Sequence, residues 1–190
     1  MESMNSTNLL QGYKELYKFF YLMGSVFESV AREVLSKVTV LETFLSGDQS
    51  QQYRTVQSMI EYETNNSLSN GSKTLLQLHR GLGFIAEFTG KMEVLEDETE
   101  LGPTAERVYE DTLMKYHSWL VQKTAKIALG LLPTKKELIM KIFPDFEPEK
   151  VEKVREDFPI AVKEMKETFV KVEEIYREYD LRSFNISCGR

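Results

Sequence analysis

The chain has 190 residues, 42 % hydrophobic and 28 % charged, with a formal net charge of −6. That length suits one domain, here residues 1–190 with 1–9 and 181–190 as peripheral tails, and the negative balance argues against a nucleic-acid binder. The single cysteine, Cys188, excludes an internal disulfide and fits a reducing compartment. The start Met-Glu-Ser-Met-Asn-Ser-Thr lacks the regions of a signal peptide, and no apolar run approaches the ~20 residues of a membrane span. The chain therefore reads as a soluble cytosolic protein.

Strict alternation of apolar and polar residues is absent, so the pattern predicts helices and no strand. A first helix is expected over about residues 8–23, after the cap candidates Ser6 and Thr7. A second covers about 26–45, and a third about 51–64. Residues 65–72, rich in Asn, Ser and Gly, read as a loop. A fourth helix follows over about 73–90, and the acidic run Glu96–Glu100 reads as a solvated loop. One long helix is expected over about 104–131, ending at Pro133. Thr134 then caps a short helix reaching about Phe143. Residues 149–181 form the last helical stretch, which Pro159 should break or kink. The sequons at Asn5, Asn65, Asn70 and Asn185 read as chance matches in polar loops.

At about 100° per residue the second helix carries an apolar stripe of Phe27, Val30, Val34, Val38, Leu41 and Leu45. Glu33 and Lys37 share a column with Val26, Val40 and Phe44. They read either as an i,i+4 pair on a solvated face or as charges at the mouth of a pocket. The fourth helix packs through Leu75, Leu78, Leu82 and Ile85. Its other face carries Lys73, Gln77, Arg80 and Phe84, either an exposed basic face or an anion site. His117 falls in the stripe Leu113, Leu120, Val121, Thr124 and Ala128. It is either a satisfied core histidine or a donor to a bound carbonyl. Trp119 lies among Lys115, Gln122 and Lys126, which suits partial cover by a loop or a membrane interface.

No Gly-rich phosphate loop, HExxH, Cys/His cluster or Gly-x-Ser-x-Gly is present. His79 and His117 alone make no metal site, and Cys188 in a tail makes no nucleophile. Neither an enzyme nor a cofactor is expected.

Four segments together resemble the glycolipid transfer protein family. They are Met23-Gly-Ser-Val-Phe27 with Ala31-Arg-Glu-Val-Leu-Ser-Lys-Val-Thr-Val-Leu-Glu42, then Gln52-Tyr-Arg-Thr-Val-Gln-Ser-Met-Ile-Glu-Tyr-Glu63, Gly71-Ser-Lys-Thr-Leu-Leu-Gln-Leu-His-Arg80, and Lys115-Tyr-His-Ser-Trp-Leu-Val121, extended by Leu132-Pro-Thr134. The similarity runs in order over residues 10–179. It implies an all-α, two-layer sandwich of about eight helices, with sphingolipid chains between the layers and the head at the surface. It also implies a carrier that performs no chemistry on its ligand.

Residue by residue, Glu33 stands where the family has an aspartate that accepts the lipid amide N–H. Lys37 matches the lysine of the phosphate-binding branch, where glycolipid carriers have asparagine. Three residues further, the lysine of glycolipid carriers is replaced by Val40. Lys73 and Gln77 stand where the phosphate branch has two arginines, and Gln77 replaces the sugar-stacking tryptophan of glycolipid carriers. Arg80 is common to both branches and is a possible additional ligand. His117 matches the donor to the acyl carbonyl, and Trp119 a membrane-docking tryptophan. The resemblance thus implies transfer of a phosphosphingolipid, ceramide 1-phosphate, by a cytosolic monomer touching Golgi, endosome or plasma membranes transiently. The alternatives are a neutral glycosphingolipid carrier and a helical lipid-sensing adaptor without transfer activity.

Overall fold

The computed structural model describes residues 3–24, 27–142 and 148–181. Val26, Phe143 and the tail with Asn185 and Cys188 lie outside the described residues. The described residues form eight α-helices: α1 Ser6–Leu22, α2 Glu28–Ser46, α3 Val56–Asn65, α4 Asn70–Glu93, α5 Gly102–Thr112, α6 Trp119–Gly130, α7 Lys135–Ile142 and α8 Pro148–Glu178. Among the described residues, extended pairing is limited to two isolated bridges, Asn5 with Thr55 and Glu100 with Thr134. The chain divides into two compact units, one of residues 3–79 and 170–181 and the other of residues 80–169.

In the first unit α1 begins two residues before its expected start. Its cap is Asn5, whose side chain accepts from the Asn8 N–H at 3.0 Å. The Asn5–Thr55 bridge ties this cap to the next. Ser6 N–H donates to the Arg54 carbonyl at 2.9 Å, and Val56 N–H to the Met4 carbonyl at 3.0 Å. Thr55 caps α3, exchanging hydrogen bonds with Ser58 in a capping box. That cap divides the expected third helix into a 3-10 turn, Ser50–Tyr53, and α3. α1 ends before Gly24, whose φ of 99° is a conformation only glycine adopts cheaply. On α2 the inward stripe is Ala31, Val38 and Leu41, while Val30 is exposed. Of the expected stripe, Phe27, Val38 and Leu41 are buried, Val34 and Leu45 half-buried, and Val30 alone faces solvent.

α4 begins at Asn70, three residues before the expected start. The reason is a carboxylate outside the helix. Glu63, in the last turn of α3 and 1 % exposed, accepts from Gly71 N–H at 2.7 Å, Ser72 N–H at 2.8 Å, Ser72 Oγ at 2.6 Å and Tyr53 Oη at 3.1 Å. The first N–H groups of a helix have no partner within it, and a buried anion satisfies them. Gly71 lets the carboxylate this close, since a Cβ there would lie 2.9 Å from Glu63 Oε1. Ser67, at φ 56°, closes the α3–α4 turn. Leu75, Leu78, Leu82 and Ile85 are buried as expected. The opposite face is no exposed basic face: Lys73 and Gln77 are half-buried, and Arg80 and Phe84 are buried. From α8, Tyr176 Oη donates to the Ser72 carbonyl at 2.6 Å, and Glu173 Oε2 lies 3.0 Å from His79 Nε2.

In the second unit the expected long helix is two helices. α5 ends at Thr112, a 3-10 turn covers Met114–Tyr116, and His117 is extended at φ −105°, ψ 143°. Ser118 is extended too, at the N-cap of α6. Gln122 Nε2 donates to the carbonyls of Met114 and His117, both at 2.9 Å, supplying partners that helix continuation would have given. α5 approaches the end of α6 through backbone, for a Cβ on Gly102 would lie 3.2 Å from the Leu129 carbonyl oxygen. The acidic run is exposed but anchored: Lys135 N–H donates to the Thr99 carbonyl at 3.0 Å and Lys136 N–H to the Asp97 carbonyl at 2.9 Å. Thr134 caps α7, its partner being Glu137. Pro159 does not break α8, which continues through it. It is exposed, so water can replace the N–H that proline lacks.

Candidate functional site

In the first unit, one turn of α2 joins Glu33 and Lys37. The carboxylate lies 2.7 Å from the ammonium, with the glutamate side chain 61 % exposed and the lysine 18 %. The lysine stem is sunk among neighbours while its partner reaches outward. The pair is therefore more than two charges on a solvated face, though its own worth is only ~0.3–0.5 kcal/mol. Lys73 and Gln77 stand one turn apart near the start of α4, both half-buried. Glu63 fixes where that helix begins, so it fixes the axial position of both. Apolar residues of α1–α4, among them Leu9, Leu10, Leu41, Val56, Met59 and Leu75, surround a cavity of about 10 Å³. That is room for roughly one water.

In the second unit His117 occupies the extended link between α5 and α6, outside any helical stripe. Its Nδ1 is 2.7 Å from Tyr109 Oη. Burial lowers the pKa of the ring, so it is neutral at pH 7. Arg80 is 8 % exposed, and its guanidinium carbon lies 3.8 Å from the centroid of the Tyr116 ring. This cation–π contact braces the turn that carries His117. Trp119 opens α6 and is 66 % exposed, with Lys123 Nζ 4.0 Å above its ring. Leu120, Ile127 and Leu131 extend the exposure along the same helix.

Sequence reasoning missed Glu63, Tyr109 and Gln122 as structural partners, did not single out Ile127 or Leu131, and placed Leu120 in the His117 stripe without recognising its exposure. Tyr109 and Gln122 gain their roles only through the break at residues 113–118, which apolar spacing does not reveal. Glu63 could have been found as the nearest acidic residue before the Gly71-Ser72 helix start.

The model of the Glycolipid transfer protein (GLTP) family matches residues 4–144. The chain belongs to the glycolipid transfer protein family. Among its relatives, the ceramide-1-phosphate transfer protein of Xenopus tropicalis is 29 % identical over 182 residues, covering 90 % of this chain and 83 % of that protein. The crystal structure of mouse ceramide-1-phosphate transfer protein in its apo-form superposes with a TM-score of 0.86 at 25 % identity, covering 94 % of this chain and 89 % of that one. The human ceramide-1-phosphate transfer protein in complex with 2:0 ceramide-1-phosphate shares the fold at 22 % identity and a TM-score of 0.74, over 95 % and 98 % of the two chains. The all-α fold expected from the sequence is thus the fold of this lipid-transfer family.

Proposed function

We propose that this chain is a non-enzymatic carrier of ceramide 1-phosphate between membranes, acting as one domain and as a monomer at their cytosolic faces. The observation that carries the reading is the similarity to ceramide-1-phosphate transfer proteins over 90 % of the chain, together with a lysine at 37 and no tryptophan at 77. In this reading Glu33 and His117 engage the lipid amide, and Lys37 and Lys73 the phosphate, with Gln77 adding a neutral hydrogen bond. Two ammonium groups match the roughly −1.5 to −2 charge of a phosphomonoester. Arg80, stacked on Tyr116, supports the site as a brace for the histidine link.

The physical need for a carrier is set by hydrocarbon. A ceramide-type lipid has about thirty methylenes, and exposing them to water would cost ~24 kcal/mol at ~0.8 kcal/mol each. A dry interior removes that barrier. Headgroup choice then rests on buried polar groups that a wrong head leaves unpaired, ~1–3 kcal/mol each. Docking through Trp119, Leu120, Ile127 and Leu131 buries apolar side chains at headgroup depth, while Lys123 faces anionic lipid.

Transfer between donor and acceptor vesicles tests the reading. Catalytic movement of ceramide 1-phosphate is expected, and Lys73→Ala should slow it more than it slows a neutral glycosphingolipid. Equal losses would favour the glycosphingolipid reading. Binding without turnover would make the protein an adaptor.

A further inference from the structure

The hydrogen bond between Tyr109 and His117 has a direction, and the surroundings decide it. Tyr109 is 2 % exposed, and burial pushes its phenol pKa up to about 12, so the O–H keeps its proton at neutral pH. Among the described residues its hydroxyl has one hydrogen-bond partner, Nδ1 of His117 at 2.7 Å. Were Nδ1 to carry a hydrogen and donate, the phenol hydrogen would be left in the interior without an acceptor, which native proteins avoid. The O–H therefore donates to Nδ1. A neutral imidazole that accepts at Nδ1 carries its hydrogen on Nε2.

The tyrosine is itself held. Phe84 meets its ring edge-on, with centroids 6.4 Å apart and planes at 84°, and Phe84 stacks on Phe88. Gln122 fixes the histidine backbone from the other side through the Met114 and His117 carbonyls. Side chain and main chain of His117 are thus oriented independently.

We propose that Tyr109 is a positioning residue that locks His117 in the Nε2–H tautomer, so that the ring offers a neutral donor, and no acceptor, to the acyl carbonyl of an N-acylated sphingolipid. The ligand in this proposal rests on the carrier reading above, whereas the tautomer does not. A ligand that presents an N–H at that point meets donor against donor, so the lock also selects the chemical class of the group bound there.

The first test reads the ring of the native protein directly. Long-range ¹H–¹⁵N correlation spectra of the lipid-free protein, with His117 assigned by comparison with His117→Gln, should show an unprotonated Nδ1 and a protonated Nε2. A protonated Nδ1, or an even mixture, would overturn the proposal. Tyr109→Phe should move the ring nitrogens toward averaged shifts. The second test reads ceramide 1-phosphate transfer. Tyr109→Phe should lower the rate on the order of threefold to tenfold, the value of one neutral hydrogen bond. In a His117→Gln background, where the amide nitrogen replaces Nε2–H and needs no tautomer, the same substitution should change little. Equal losses in both backgrounds would mean general damage and would refute a positioning role. Unchanged transfer in His117→Leu would instead remove the carrier role of the histidine, while the ring spectrum would still report the tautomer.

Discussion

Glu63 and His117 show opposite ways in which a single buried group can matter. The Glu63 carboxylate accepts four hydrogen bonds, three of them from the start of α4. Glu63→Gln keeps the volume but points amide hydrogens at donors, so at least one is stranded. A loss of about 2–4 kcal/mol is expected, read by urea unfolding. His117 acts through a proton it does not take up. Burial lowers its folded pKa below the usual ~6.5. The unfolded chain therefore binds this proton first as the pH falls. Stability from this group is complete above about pH 6.5 and declines below it, until the folded ring also protonates. Thermal melts at pH 7 and pH 5.5 should show a larger drop for the native protein than for His117→Gln. The identity of His117 as a candidate was legible in the sequence; its neighbour was not, because Tyr109 lies eight positions away on what spacing presents as the same helix.

Among the elements, two misreadings have opposite reasons. Between residues 104 and 131, apolar residues recur every three or four positions straight through the break, so periodicity supports one helix. The competing signal was Ser118, a cap residue directly before Trp119, reinforced by the amide of Gln122. In α8 the strong local signal, Pro159, was overruled. The helix continues because the proline is exposed and the next turn carries the buried Val162. The lost backbone bond remains a local cost, so Pro159→Ala should stabilise the protein by about 1–3 kcal/mol in calorimetry. A destabilised variant would mean that the ring itself makes a needed contact. Thr55→Ala removes the capping box of α3 and should cost about 1 kcal/mol by the same measurement.

For the molecule as a whole, the overall charge of −6 sets it against anionic surfaces, whereas α6 carries exposed apolar side chains beside lysines. On the proposed carrier reading, attraction to a bilayer is therefore local and largely apolar. Replacing Leu120 and Ile127, 67 % and 69 % exposed, by serine should leave the melting temperature nearly unchanged. It should weaken co-sedimentation with vesicles by about tenfold or more. Unaltered co-sedimentation would move the docking face elsewhere. No described helix is long and apolar enough to cross a membrane. At this scale the sequence was most informative. The ordered similarity over nearly the whole chain specified the family, because a fold tolerates many local substitutions as long as its buried positions recur in the same order.

The two-pronged grip of Gln122 on Met114 and His117 makes the span between α5 and α6 a fixed length. One extra residue inserted there would part the Gln122 amide from at least one of the two carbonyls it ties down. The imidazole and the greasy rim of α6 are in that sense indexed to each other, like the hands of one clock. Either feature can thus be changed by substitution alone, whereas a change in the number of residues between them would break the tie that holds them in step.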